Sequence, residues 1–110
     1  MLRFHGWVRI SNDVVVKPVG QTKMAEIPVV QNEVFGTGES KKEHASFFTV
    51  EVWDTAADYV EKYAKKGDTL IIESGRLRQD RWEKDGVQKS KTVLRVENFK
   101  LVSQNPQKVE

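Results

Sequence analysis

The feature that most limits what this chain can fold into is a strict alternation of apolar and polar residues, repeated in several short segments. It is clearest over residues 2–10 and again over residues 47–53. A period of two places successive side chains on opposite faces of an extended strand, so each segment buries one face and exposes the other. We therefore expect short strands wrapped around a small core.

The apolar positions define the first three strands. In the first, the inward set is Leu2, Phe4, Val8 and Ile10. A short extended piece follows at Val14–Val16, and the alternation resumes with Ala25, Ile27 and Val29. Pro28 has no amide proton, so its strand is expected at a sheet edge or with that position turned to solvent. Residues 31–46 are predicted to form a long exposed loop or a protruding hairpin. In the third strand, Phe48, Val50 and Val52 point inward, which leaves Phe47 outward.

The spacing of the apolar residues changes from that of a strand to that of a helix only once, at Asp54. The residues that follow at helical spacing, ending before Gly67, are Ala57, Val60, Tyr63 and Ala64. They predict one short helix, capped by Asp54 or Thr55, with Thr55 and Asp58 as an approximate capping box.

Two more strands follow the helix. Leu70 and Ile72 point inward in the first of them, and Ser74-Gly75 predicts a bulge. Asp85-Gly86 predicts a hairpin turn before a last strand over residues 92–99.

Three strands, one helix and two strands, all short and expected to be antiparallel, fit an all-β domain. We predict a five-stranded OB-fold barrel with one short helix between strands 3 and 4, a fold whose face and loops bind oligonucleotides or oligosaccharides. Another small barrel or an α+β sheet is the alternative. The domain is expected to span residues 1–102, followed by a short disordered tail over residues 103–110.

Composition excludes several classes of function. The 110 residues include no cysteine and two histidines, which excludes a disulfide scaffold, a thiolate metal site, a cysteine nucleophile and a histidine-rich metal site. His5 and His44 are expected to be ordinary surface side chains, and no nucleophile, base and orienting group can be assembled, so we expect no enzyme, no metal and no cofactor. The longest apolar runs have three residues, whereas a membrane span needs about 20, so a cytoplasmic protein is expected.

The remaining signal is a set of aromatic side chains interleaved with cations. The net charge is only +2, but residues 76–100 carry eight basic and four acidic residues. Single-stranded nucleic acid presents unstacked bases and a phosphate chain, and stacking is worth about 1–3 kcal/mol per base. The predicted stacking residues are Trp82, Trp53, Phe47, Trp7 and Phe35. The predicted phosphate-binding residues are Arg3, Arg9, Arg76, Arg78, Arg81, Lys89 and Lys91.

Each of these groups also has a structural interpretation. Packing of Trp7 against a barrel end or a partner subunit weighs equally with stacking. The basic segment can equally be a solvated hairpin, although an exposed tryptophan such as Trp82 usually has something to contact. Phe99, Tyr59 and Tyr63 are expected to pack in the core or against the helix rather than contact a ligand.

An ordered set of motifs resembles the bacterial-type single-stranded DNA-binding proteins. The motifs are Phe47-Phe48-Thr49-Val50-Glu51-Val52-Trp53, Tyr63-Ala64-Lys65-Lys66-Gly67-Asp68, Glu73-Ser74-Gly75-Arg76-Leu77-Arg78 and Trp82-Glu83-Lys84-Asp85-Gly86. In this resemblance Trp82 takes the place of the stacking tryptophan before the last hairpin turn. Phe47 and Trp53 take the places of the aromatics that open and close the third strand, and Phe35 lies near the aromatic after the second.

The resemblance implies an OB-fold protomer that binds single-stranded DNA without sequence preference in replication, recombination or repair. It also implies a homotetramer, with a dimer as the alternative, in the bacterial nucleoid or in a host cytoplasm if the protein is phage-encoded. RNA binding stays open, since stacking does not read the sugar.

The sequence departs from the family at three places. Ser74 splits the Glu-Gly-Arg step, Asp54 stands where the family has glycine, and residues 103–110 lack the acidic tip that recruits repair proteins. Recruitment through such a tip is therefore not expected. The missing tip also motivates a second hypothesis, an OB-type adaptor similar to a primosomal replication protein, whose aromatics contact another protein.

Overall fold

A computed structural model describes residues 2–104, and in this part of the chain it shows six strands and one α-helix. The strands are β1 (Arg3–Ile10), β2 (Val15–Val19), β3 (Thr22–Phe35), β4 (Lys42–Trp53), β5 (Thr69–Lys84) and β6 (Val87–Val102). Helix α1 (Thr55–Tyr63) joins β4 to β5, and a 3₁₀ turn at Gly38–Ser40 joins β3 to β4. The sheet order is β1-β5-β6-β4-β3-β2, and a second pairing of β1 with β3 closes it into a ring. This confirms the predicted OB-fold, in which β2 is a short addition hydrogen-bonded to β3.

The core consists of the inward faces that alternation predicts, with one exception. Leu2, which is predicted to point inward, precedes β1 and is exposed. The centre of the core is almost fully buried and comprises Ala25, Ile27, Val29, Val50, Val52, Leu70 and Ile72, with Ala57 and Val60 from the helix. Phe48 packs against this core, whereas Phe47 beside it is 70% exposed. The two faces of β4 are therefore assigned as the alternation predicts.

The sheet differs from the prediction in two places. The pairing of β4 with β6 is parallel, from Thr49 with Val93 to Glu51 with Arg95, because ring closure brings together two strands that run the same way. Strand β3 is central rather than an edge strand. Pro28 lies where β3 has left β2 and not yet met β1, and its carbonyl accepts a hydrogen bond from the Ser11 N–H at 2.8 Å.

The helix begins without the predicted capping box. Asp54 occupies the N-cap position with φ +56° and ψ −121°, and no side chain caps the helix there. Asp58 forms an ion pair with Lys23 of β3 instead. The helix-packing interpretation of Tyr59 is correct, since its ring lies 6.1 Å from that of Phe99, but it is 44% exposed and forms no part of the core.

The predicted bulge in β5 lies at Ile72–Gly75, where the register with β6 shifts. A Cβ atom on Gly75 would lie 2.6 Å from the Phe4 ring and 3.0 Å from the Arg95 carbonyl. Only glycine lets β5 pass this closely beneath the Phe4 ring. At the far end of the strand, Asp85 and Gly86 both have positive φ, as the predicted two-residue hairpin turn requires.

No helix in the described part of the chain is long and apolar enough to cross a membrane. The predicted tail begins at Ser103 and falls mostly on residues 105–110, outside the described residues. The backbone N–H of Gln104 donates a hydrogen bond to Asp68 at 3.0 Å.

Candidate nucleic-acid interface

Two long hairpin arms extend from the same end of the ring. One consists of β3 and β4, paired as far as Phe35 with Lys42, so the predicted protrusion over residues 31–46 is a hairpin. The other consists of β5 and β6, paired as far as Lys84 with Val87. Because β4 and β6 pair only at residues 49–51 and 93–95, the arms separate beyond that point.

A groove of about 430 Å³ lies where the two arms separate. Pro28, Phe47 and Thr49 line one side of it, and Ser90, Lys91 and Thr92 line the other. Phe47 and Lys91 thus place an exposed ring and a cation on facing strands. This pairing of a flat apolar surface with positive charge is what a single nucleic-acid strand requires.

The stacking candidates lie at different distances along these arms. Trp82 is 42% exposed on the β5–β6 arm, directly opposite Lys89, and its strand face is the one that carries Lys91. Phe35 is 53% exposed at the end of the β3–β4 arm, with its ring 6.5 Å from that of His44. Phe47, Trp82 and Phe35 therefore lie on the two arms that border the groove.

The structure does not bring Trp7 to this groove. Trp7 lies on β1, opposite Ile71 of β5, and lines a separate, mainly apolar cavity of about 380 Å³ together with Phe4 and Leu77. Both interpretations of Trp7 stay predictions, since an exposed ring beside an apolar cavity suits either a partner subunit or a base.

Trp53 is the last residue of β4, on its outer face, and its ring is contacted by two side chains. Its Nε1–H donates a hydrogen bond to Glu51 Oε1 at 3.0 Å, and the Arg95 guanidinium lies 5.3 Å from the ring centroid. The ring is half-buried, so it offers less surface to a base than Phe47 does.

Four of the seven predicted phosphate-binding cations are engaged by carboxylates. Arg3 and Arg76 share Glu97, at 2.8 and 3.2 Å. Arg78 contacts Glu51 at 3.0 Å and Asp80 at 2.8 Å, and Lys91 contacts Glu26 at 3.3 Å. Their charge is therefore partly compensated before any phosphate arrives.

The pKa directions follow these pairs. The hydrogen bond from Arg3 holds the pKa of Glu97 below its ordinary value, and the hydrogen bond from Arg78 does the same for the pKa of Asp80. The hydrogen bond from Lys17, and after it that from Lys91, lowers the pKa of Glu26. These carboxylates stay ionised at neutral pH, so the pairs persist there.

The other three cations are Arg9, Arg81 and Lys89. Within residues 2–104, no carboxylate lies within 4.0 Å of their charged groups. Arg81 donates a hydrogen bond to Gln79 at 3.3 Å, and Lys89 lies opposite Trp82. Arg81 and Lys89 thus supply uncompensated charge on the β5–β6 arm, while Arg9 supplies it on β1.

Sequence reasoning missed the acidic partners and the place of Arg95. Glu51 shows in the sequence only as a polar residue between two aromatics of one strand face. Its contact with Arg78 joins residues 27 positions apart, and Arg95 approaches Trp53 only through the parallel pairing. Neither contact leaves a signal at short sequence spacing.

Comparisons with known proteins identify the family and the fold of this chain. A sequence profile of the "Single-strand binding protein family" matches residues 8–102. The chain is 32% identical over 66 residues to a single-stranded DNA-binding protein of Treponema pallidum, covering 60% of this chain and 37% of that protein. It is 37% identical over 65 residues to single-stranded DNA-binding protein 1 of a Nostoc species, covering 57% and 54%. The chain thus spans about half or less of the length of these relatives.

Among solved structures, the single-stranded DNA-binding protein of Plasmodium falciparum in complex with single-stranded DNA superposes with a TM-score of 0.75 at 19% identity, covering 93% of each chain. At that identity the superposition establishes the fold, and the profile match over most of the chain establishes the family. The chain belongs to the single-strand binding protein family.

Proposed function

We propose that this protein binds single-stranded DNA without sequence preference and protects exposed strands in replication, recombination or repair. The observation that carries the proposal is the groove between the two arms, which the exposed Phe47 lines from one strand and Lys91 lines from another. The family relationship supports the same ligand, and it does not favour the adaptor hypothesis. The protein binds without catalysis and works in the cytoplasm.

In this proposal the bases stack on Phe47, Trp82 and Trp53, with Phe35 extending the path at the end of the β3–β4 arm. Trp7 lies outside this path, beside the separate apolar cavity. Stacking supplies most of the affinity, because each base contributes about 1–3 kcal/mol and every base has a π-face. The phosphates meet Arg9, Arg81 and Lys89 first, because these cations have no carboxylate partner among residues 2–104. The paired cations Arg3, Arg76, Arg78 and Lys91 contribute less.

Tryptophan fluorescence titrated with oligo-dT and with duplex DNA tests the ligand. We expect saturable quenching by oligo-dT and little response to duplex, since a duplex hides the base faces. Equal quenching by both, or none, contradicts the proposal. Competition between matched DNA and RNA oligomers then determines whether the sugar matters.

The salt dependence of oligo-dT binding tests the division between stacking and charge. Each neutralised phosphate on a single strand contributes a log–log slope of about −0.7, so three uncompensated cations predict a slope of about −2. Full use of all seven predicted cations gives about −5 instead, which contradicts the minor role assigned to the paired ones.

We also infer a homo-oligomer, with the tetramer that the family resemblance implies. The apolar cavity beside the exposed Trp7 is a surface that a second copy can cover. Light scattering on the purified protein distinguishes monomer, dimer and tetramer, and a monomer at micromolar concentration contradicts the inference.

A further inference from the structure

Glu51 is a buried carboxylate on the outer face of the barrel. Its side chain is only 5% exposed, in the middle of β4, with Glu26 directly opposite on β3 and Arg95 opposite on β6. A buried carboxylate needs charged or hydrogen-bonded partners, because desolvation otherwise makes its ionised form very costly. The role of Glu51 should therefore depend on its charge or its acceptor oxygens, which an apolar side chain lacks.

Glu51 has partners for both of its oxygens. Arg78 donates to Oε2 at 3.0 Å and to Oε1 at 3.4 Å, and Asp80 binds the other side of the same guanidinium. The Trp53 Nε1–H donates to Oε1 at 3.0 Å. An indole has a single N–H donor, so this bond fixes the direction in which the ring edge points.

The rest of the Trp53 surroundings are consistent with a fixed ring. Arg95 lies 5.3 Å from the ring centroid and so covers part of one ring face. Met24 lies directly opposite Trp53 on β3. A ring oriented before the ligand arrives loses less conformational freedom on binding than a mobile one.

From these contacts we propose that Glu51 is a positioning residue, which holds the Trp53 indole ready for a base to stack on, while Arg78 serves to neutralise Glu51 rather than to bind phosphate. The inference rests on the proposed function and deepens it. It assigns a role to an acidic side chain on a face that binds a polyanion, where charge alone makes such a residue unfavourable.

An electrostatic role and a positioning role for Glu51 predict opposite changes in DNA affinity for the same substitution. Glu51→Met removes a negative charge from the binding face and both acceptor oxygens, at similar side-chain length. Electrostatics alone predicts tighter binding of oligo-dT. Positioning predicts binding about tenfold weaker, with a smaller loss, about threefold, for Glu51→Gln, which keeps one acceptor oxygen.

A double-mutant cycle isolates the Glu51–Trp53 contact from any general effect on folding. Trp53→Phe keeps an aromatic ring but has no N–H, so Glu51→Met should cause no further loss in that background. Asp58→Asn is the matched control, since it also removes a carboxylate from an ion pair, on the helix, and should leave the affinity unchanged. Tighter or unchanged binding by Glu51→Met, or an equal loss in the Trp53→Phe background, overturns the proposal.

Arg78→Gln tests the other half of the assignment. We expect weaker binding with an unchanged salt slope, because the Arg78 charge is already compensated by two carboxylates. A slope shallower by about 0.7 means that Arg78 neutralises a phosphate, which overturns its assignment.

A further readout separates this inference from the proposed function. In a protein carrying Trp7→Phe and Trp82→Phe, Trp53 is the only tryptophan. In that background, and without DNA, Glu51→Met should lower the tryptophan fluorescence anisotropy. If the wild type fails to bind oligo-dT, the proposed function is wrong whatever the anisotropy shows. If the wild type binds and the anisotropy is unchanged, the positioning role is wrong.

Discussion

Phe47 and Phe48 are neighbours in sequence with opposite roles, and alanine substitution of each should separate DNA binding from stability. Phe47 lies on the outer face and lines the groove, whereas Phe48 packs against the core. Phe47→Ala should weaken oligo-dT binding with little effect on folding, and Phe48→Ala should do the reverse.

The magnitudes follow from burial. Less than a third of the Phe47 surface is buried, and full burial of a phenylalanine is worth about 1.5–3 kcal/mol, so Phe47→Ala should cost about 0.5–1 kcal/mol of stability. Loss of one stacked base costs about 1–3 kcal/mol, which is about 5- to 150-fold in affinity. Phe48→Ala should cost about 2–3 kcal/mol, below the roughly 3–5 kcal/mol of a fully buried ring because Phe48 keeps some exposure.

The assay combines fluorescence titration with oligo-dT and thermal unfolding followed by circular dichroism. Phe47→Ala should lower the Tm by about 2–5 °C and Phe48→Ala by about 10 °C or more. Tyr63→Ala is the matched control, an exposed aromatic on the helix outside the proposed path, and should leave the affinity unchanged.

Two results would contradict these expectations. If Phe47→Ala weakens binding no more than Tyr63→Ala does, the groove does not stack bases. If Phe47→Ala instead lowers the Tm as much as Phe48→Ala does, the face assignment on β4 is wrong.

Three further predictions concern stability, all measured by thermal unfolding. Asp54→Gly should raise stability by about 1 kcal/mol, since Asp54 has φ +56°, a region that favours glycine, and a lower Tm contradicts this. Gly75→Ala should cost about 1–3 kcal/mol through contact with the Phe4 ring, and an unchanged Tm contradicts it. Because hydrogen bonds from lysines lower the pKa of Glu26 from 4.5, its stabilisation is present above that pH and lost as the pH falls through the lowered value. The Tm difference between wild type and Glu26→Gln should therefore vanish in acid, and a constant difference contradicts it.

The sequence predicts the barrel well because the alternation within each strand shows which of its side chains are buried. Ala25, Ile27 and Val29 alternate with polar residues, and the structure buries all three. Asp85-Gly86 predicts its turn for a local reason, because both residues accept positive φ. Such signals lie within a few residues and need no knowledge of the partner strand.

The electrostatics of the site could not be predicted in the same way. Arg78 is one of three arginines that precede the exposed Trp82 in sequence, which suggests a phosphate contact, yet it faces Glu51 once β4 and β6 pair in parallel. The Arg3–Glu97 pair likewise joins opposite ends of the chain. Register between distant strands determines these pairs, and alternation fixes which face a side chain occupies but not its neighbour. The roles of the individual site residues therefore stay predictions for experiment.

Photo-crosslinking of oligo-dT to the wild-type protein, with the crosslinked peptides identified by mass spectrometry, shows whether bases stack in the groove between the two arms. Bases stacked in the groove between the two arms should crosslink to peptides containing Phe47, Trp53 and Trp82. Crosslinks confined to helix α1 or to strand β2, with none on the two arms, would show that the groove is not the binding site.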